Sequence, residues 1–230
     1  MLKDLRGVSL RGKNLAGEYL YGMDLSGADL EGANLGGADL REANLERANL
    51  KWADLREANL EGADLQGARL KGADLRMANL ERADCRMANL RGAYLGRANL
   101  EKANFKDANL VGTDLTYAKF ADANLEGAKL SQAHFFKTNL VGADLRGADL
   151  EEANLQEADL REANLGWANL RWADLSGANI SGANLWGALL QGANLREVNL
   201  SETNVTGVEV EGTNFQKPNL ERQGFKGIAR

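Results

Sequence analysis

From Leu5 to Phe225 every fifth residue is apolar, and the interval never slips. Between these positions the chain repeats itself: Ala28-Asp29-Leu30-Glu31-Gly32 is followed by Ala33-Asn34-Leu35-Gly36-Gly37, and the pattern runs on to Ala193-Asn194-Leu195-Arg196-Glu197. A period of five excludes both regular elements as continuous runs. On a helix, residues five apart point roughly 140° away from each other, so Leu30, Leu35 and Leu40 would share no face. On an unbroken strand side chains alternate with a period of two, and an odd interval sends every second Leu into water. The chain therefore has to turn between pentads. A short extended piece points Ala28 and Leu30 inward and Asp29 outward, and Glu31-Gly32 bends the chain so that Ala33 and Leu35 face inward again. Repeating that bend winds a solenoid whose coils pair about 4.7 to 4.9 Å apart.

Each place in the pentad then has a physical task. Leu supplies an apolar side chain whose full burial stabilises by roughly 1.5 to 3 kcal/mol, and Ala leaves room beside it. Asn or Asp at the outward place, as at Asn34, Asp39 and Asn44, bonds to nearby backbone of the turn. Gly at the last place, as at Gly32, Gly62 and Gly142, permits the positive φ of a type II turn. Where Glu57 or Met77 stands there instead, a different turn type is expected.

This Ala-Asn/Asp-Leu-x-x array resembles the pentapeptide-repeat family, from about residue 4 to about 225. The resemblance implies an all-β fold, a right-handed quadrilateral parallel β-helix (β-solenoid) with four pentapeptides to a coil. Four sides come from the resemblance; the period alone does not set them. The length then makes about eleven coils and a rod of roughly 53 Å.

An unbroken repeat has no internal boundary, so 1–230 reads as a single domain. Residues 1–22 read as an N-terminal cap coil, because Lys3, Lys13 and Glu18 take the small inward place. Residues 198–230 read as degenerate C-terminal coils and tail, with Val198, Thr203, Val208, Thr213 and Pro218 in place of Ala. Charge guards the first end against a stacking neighbour, whereas Val198, Val205, Val208, Val210 and Phe215 give the last end an apolar cross-section. Either Phe225 and Ile228 fold back as a plug, or two copies meet there as a homodimer. One coil's cross-section falls short of the roughly 800 Å² per side of a standard interface, so that dimer would be weak. The gyrase-protecting branch of the resembled family dimerises at this end, which favours the dimer.

Chemistry is sparse. The single His134 sits at an outward place, and the single Cys85 takes a Leu place, which reads as a buried inert thiol. Asp and Glu recur in every coil as turn and surface residues, so no acid–base pair stands out, and no Cys/His cluster has metal spacing. No catalytic, metal or cofactor site is expected, and no cofactor. Met1–Arg6 opens the chain with charge, no apolar run is long enough to span a bilayer, and the net charge is −5. A soluble, cytoplasmic protein without a membrane partner is expected.

With twenty residues to a coil, columns sort the surface by face. The face through Leu20, Leu40 and Leu60 carries more acid than base, with Glu61, Glu81, Glu101, Asp122 and Glu162 among its residues. Duplex DNA carries about one charge per 1.7 Å of axis, several times what this face offers, so imitation of DNA is not the first reading. The face through Leu10, Leu30 and Leu50 bears Lys51, Arg69, Lys71, Arg91 and Lys129 beside Trp52. A solvated charged face is the preferred reading there, and nucleic acid is disfavoured as a partner. Tyr94, Tyr117, His134 and Phe136 share another face. Trp167, Trp172, Trp186 and Leu189 gather towards the far end, and Leu189 replaces the usual Asn or Asp. Either this is a partner-binding patch, or the rings cover bare turn glycines, Trp167 over Gly187 and Trp186 over Gly166. The expected function is a non-enzymatic structural or protein-interaction scaffold with an unidentified protein partner. The alternative, which one branch of the resembled family suggests, is a DNA mimic that binds DNA gyrase or topoisomerase.

Overall fold

The computed structural model describes residues 4–215. Asp29 pairs in parallel with Ser9 on one side and Asn49 on the other, and the interval of twenty holds from Asp4 with Asp24 to Leu189 with Glu209. It continues into two short strands, β1 (Asn194–Leu195) and β2 (Asn214–Phe215), where Asn194 pairs with Asn214. Four ladders start in succession at Asp4, Ser9, Asn14 and Tyr19, so each coil has four sides of one pentad each. The count of about eleven coils reaches into residues 1–3 and 216–230, outside the described ones. Lys3, Pro218, Phe225 and Ile228 lie there too, and of Phe215 only the backbone pairing is described.

The pentad Ala28–Gly32 satisfies every one of its backbone N–H groups. For Ala28-Asp29-Leu30-Glu31-Gly32, the Ala28 amide closes a turn on the Leu25 carbonyl (3.0 Å) and the Asp29 amide reaches back one coil to Val8 (3.0 Å). The amides of Leu30 and Gly32 reach forward to Asn49 (2.8 Å) and Lys51 (2.9 Å). The fifth, that of Glu31, has no carbonyl partner; the Asp29 Oδ1 accepts it at 3.3 Å. An outward Asn or Asp is the side chain that completes the set, since an unpaired amide costs about as much as a lost hydrogen bond.

Turn geometry corrects one expectation. Glu57 and Met77 do not change the turn type: their φ values are 59° and 62°, in the range of the turn glycines, such as 65° at Gly62. The ladder fixes the peptide, because the Glu57 and Met77 amides must still reach Arg76 and Gly96 on the next coil, each at 3.1 Å. That register outweighs a left-handed cost of roughly 1 to 2 kcal/mol per residue.

The core is a filled column of Leu and Ala, buried from Leu25 to Leu190. Thr113 and Thr138 fit the Ala place because their hydroxyls donate to the carbonyls of Leu90 (3.1 Å) and Leu115 (2.7 Å). Phe105, Phe120 and Phe135 stack obliquely, with ring centroids 5.6 and 6.4 Å apart. Cys85 is fully buried, and burial pushes its thiol well above the usual range. At the first end Leu5, Leu10 and Leu15 are half-buried, and Lys13 and Glu18 stay exposed, in the first of the described coils. At the other end Val198 is buried and Val205, Val208 and Val210 are half-buried.

The surface carries a recurrent tie that sequence reading missed. Wherever Arg stands two places after Asp, its guanidinium folds back on the carboxylate: Arg41 on Asp39 (2.7 Å), Arg56 on Asp54 (2.6 Å), Arg86 on Asp84 (2.6 Å), Arg161 on Asp159 (2.7 Å). The Arg side-chain hydrogen bond holds Asp39, Asp54 and Asp159 below the ordinary carboxylate range. At Asp74, Asp84 and Asp144 partial burial pushes the carboxyl up, and the Arg hydrogen bonds outweigh it, so these too end low. A depressed folded pKa gives stability that is complete above the unfolded value, near 3.9, and lost as pH falls through the folded value. The melting temperature should therefore be flat in this respect from about pH 5 to 8 and fall below about pH 4. Melting curves from pH 2 to 8 check this, and an Asp54→Asn, Asp74→Asn, Asp84→Asn variant should lose less on acidification than the parent.

Candidate functional site

His134 is exposed on a ladder between Asp114 and Asn154, and among the described residues no group of three or more His, Cys, Asp or Glu is placed to hold a metal ion. An open groove of about 510 Å³ runs along one corner of the rod. It exists because Gly96 takes the corner place that Arg56 and Arg76 fill on earlier coils, so Met77, Arg97 and Tyr117 wall a notch with no side chain in it. Arg97 lies 5.7 Å over the Tyr117 ring, and Tyr117 meets Phe136 edge-on at 5.9 Å. Tyr94 and His134 flank Asp114 on the adjoining ladder.

The tryptophans form the more concentrated apolar feature. Trp167 and Trp172 occupy the last place of the pentad with φ near 60°, so each ring folds over the glycine one coil on. A Cβ at Gly187 would lie 2.7 Å from the Trp167 ring, and one at Gly192 would lie 2.3 Å from Trp172. Trp52 covers Gly72 in the same way. The reading of rings over bare glycines therefore holds for Trp167. It does not hold for Trp186 over Gly166, whose nearest neighbours are Asn164, Asn184 and backbone. Trp186 stands one place earlier in its turn and packs edge-on against Trp167 instead, centroids 4.8 Å apart and planes at 64°. Covering glycine does not hide the rings: Trp167 is 61%, Trp172 64% and Trp186 47% exposed. The Trp167–Trp186 pair and Trp172 sit on the two corners that bound one face. Leu189 lies on that face, half-buried, laddered between Asn169 and Glu209.

On the acid-rich face part of the charge is tied internally. Arg41 bridges Asp39, Arg161 bridges Asp159, and Arg82 lies 3.8 Å from Glu81. Glu42 accepts the Tyr21 hydroxyl at 2.8 Å.

Comparison with known proteins agrees with this architecture. The pentapeptide repeats profile, in eight copies, matches residues 24–62, 58–97, 93–132, 138–177 and 178–216. The crystal structure of HetL from the cyanobacterium Nostoc sp. strain PCC 7120, a pentapeptide repeat protein involved in heterocyst differentiation regulation, is 36% identical. It superposes with a TM-score of 0.77, covering 86% of this chain and 87% of HetL. Rfr23 from the cyanobacterium Cyanothece 51142 is 34% identical over 54% of this chain and 64% of its own, with a TM-score of 0.23. A trypsin-treated QnrB1, a plasmid-mediated fluoroquinolone resistance protein, is 20% identical over 97% of this chain and 100% of its own, with a TM-score of 0.38. No curated protein sequence matches the chain. With its twenty-residue coil, its Leu and Ala core and a family match spanning most of its length, the chain belongs to the pentapeptide repeat family.

Proposed function

We propose that this protein is a non-enzymatic interaction scaffold that engages a protein partner through Trp167, Trp172, Trp186 and Leu189. The observation that carries the reading is the exposed, edge-packed Trp167–Trp186 pair, with Trp172 on the opposite corner of the same face. Tryptophan dominates binding energy at protein interfaces, and rings already held by packing lose little freedom when a partner arrives. The rigid ladder beneath keeps both corners at a fixed spacing, which suits a preformed docking face. HetL, whose fold this chain shares, is itself described as involved in regulation, which accords with a binding role.

Leu189→Asn restores the repeat residue and should leave the melting temperature within about 2 °C, since surface changes stay within about 0.5 kcal/mol. Combined with Trp186→Ser it should weaken partner binding at least tenfold. Immobilised parent and variant, exposed to the same host extract, test this: a protein held by the parent and lost with the variant identifies the partner. Equal retention of every captured protein removes the patch from consideration.

A further inference from the structure

We propose that the basic stripe from Lys51 to Lys129 binds a single-stranded nucleic acid, with the phosphodiester chain along the cations and a base on Trp52. The sequence alone favours a solvated face here, and the structure adds three observations against that reading. First, these cations are free. Elsewhere an Arg that follows Asp by two places is tied to it. Here Lys51 follows Asn49 and Arg91 follows Asn89, which carry no charge, Lys71 follows Arg69, and Arg69 and Lys129 themselves take the outward place. Among the described residues none of the five makes an ion pair. No carboxylate shares their columns between Asn49 and Gln132. At the far corner of the face Glu46 is bridged by Arg47, and Glu126 by Lys106 and Arg146; Asp107 alone is left unpaired among the described residues there.

Second, the stripe presents uncapped amides. Arg69 and Lys129 replace the Asn or Asp whose oxygen normally accepts the amide two places on, so the amides of Lys71 and Ser131 have no acceptor among the described residues. Backbone N–H groups beside cations favour an anion. Third, Trp52 lies flat over Gly72, where a Cβ would come within 2.1 Å of the ring, yet remains 60% exposed. One ring face rests on backbone and the other is open at the end of the stripe, which is how single-strand binders stack a base. That platform favours a nucleic acid over an acidic peptide, and an unpaired strand over a duplex, whose bases are already stacked. From Lys51 to Lys129 the stripe spans just under four coils, roughly 19 Å, the length of about five or six nucleotides.

Fluorescence anisotropy of a labelled fifteen-residue oligothymidylate, titrated with the full chain at low salt, tests the proposal. Binding should appear, and the slope of log K against log salt should be about −3.5 if five phosphates are neutralised. Lys71→Glu with Arg91→Glu should weaken binding at least tenfold, and Trp52→Ala several-fold. Arg161→Gln, on another face, should leave it unchanged. If the double reversal fails to fold, Lys71→Gln with Arg91→Gln should make the slope shallower by about 1.4. No binding at low salt, or binding unmoved by these variants, overturns the proposal. So does equal competition by a poly-glutamate peptide, which assigns the stripe to an acidic protein, or tighter binding of the matching duplex.

Discussion

Replacing Met77, Met87, Lys102 and Glu202 together with glycine should stabilise the protein by about 2 to 4 kcal/mol. All four residues hold φ between 57° and 62°, where a Cβ crowds the following carbonyl. Relief of that crowding gains roughly 1 to 2 kcal/mol per site, and the greater freedom of glycine in the unfolded chain takes back roughly 0.5 to 1. None of the four side chains makes an ion pair among the described residues, so little else is lost. The opposite change has the opposite sign. A methyl group added at Gly112 would meet no atom within 4 Å, and φ there is 63°, so Gly112→Ala should cost about 1 kcal/mol through φ alone. Urea unfolding of the quadruple variant checks the first result, and a midpoint at or below that of the parent would contradict it.

Phe120→Ala should destabilise by about 3 to 5 kcal/mol, the largest loss expected from one substitution in this core. Its ring is fully buried and is packed between Phe105 and Phe135, and the surrounding Leu ladder is pinned coil by coil through backbone hydrogen bonds, so the cavity has little room to collapse. Because each coil contacts only its neighbours, the loss should also weaken coupling between the two halves of the rod and broaden the unfolding transition. Phe120→Leu places the repeat residue there and should cost less than about 1.5 kcal/mol. Calorimetry of both variants distinguishes these outcomes; equal losses would mean that the aromatic stack contributes nothing beyond the Leu ladder.

The backbone of this protein is legible in its sequence because five fits neither a helix nor a strand, and that arithmetic forces a turn after every Leu. Asn34 and Asp39 are legible as turn residues because a short side-chain oxygen meets the one amide the ladder leaves over. Glu57 and Met77 run against expectation, because intrinsic φ preference takes no account of the inter-coil bonds that override it. Trp186 does not cover Gly166 although the two share a column, whereas Trp167 and Trp172, at the last place of the turn, lie over the glycines one coil on. The ties of Arg56 to Asp54 and Arg161 to Asp159 have a visible signal in the recurrent Asp-Leu-Arg triplet. Its absence around Lys51, Lys71 and Arg91 leaves the basic stripe free. The notch at Gly96 has no such signal, since a corner glycine matters only beside the arginines of the coils next to it.

The central claim, that one coil is twenty residues and four sides, is tested most directly by cross-linking. Asn79 and Asn99 pair on one ladder, and the Asn99 side-chain amide donates to Asn79 at 3.0 Å. Neighbouring strands lie about 4.7 to 4.9 Å apart, within the range of roughly 4.4 to 6.8 Å between Cα atoms that a disulfide spans. Asn89 is closer in sequence but belongs to the ladder of Arg69 and Asn109, two faces round the coil, with the Leu and Ala core between. The rate of disulfide formation under mild oxidation should therefore be high for Asn79→Cys with Asn99→Cys and negligible for Asn79→Cys with Asn89→Cys. Equal rates, or faster closure of the ten-residue pair, would contradict the four-sided coil.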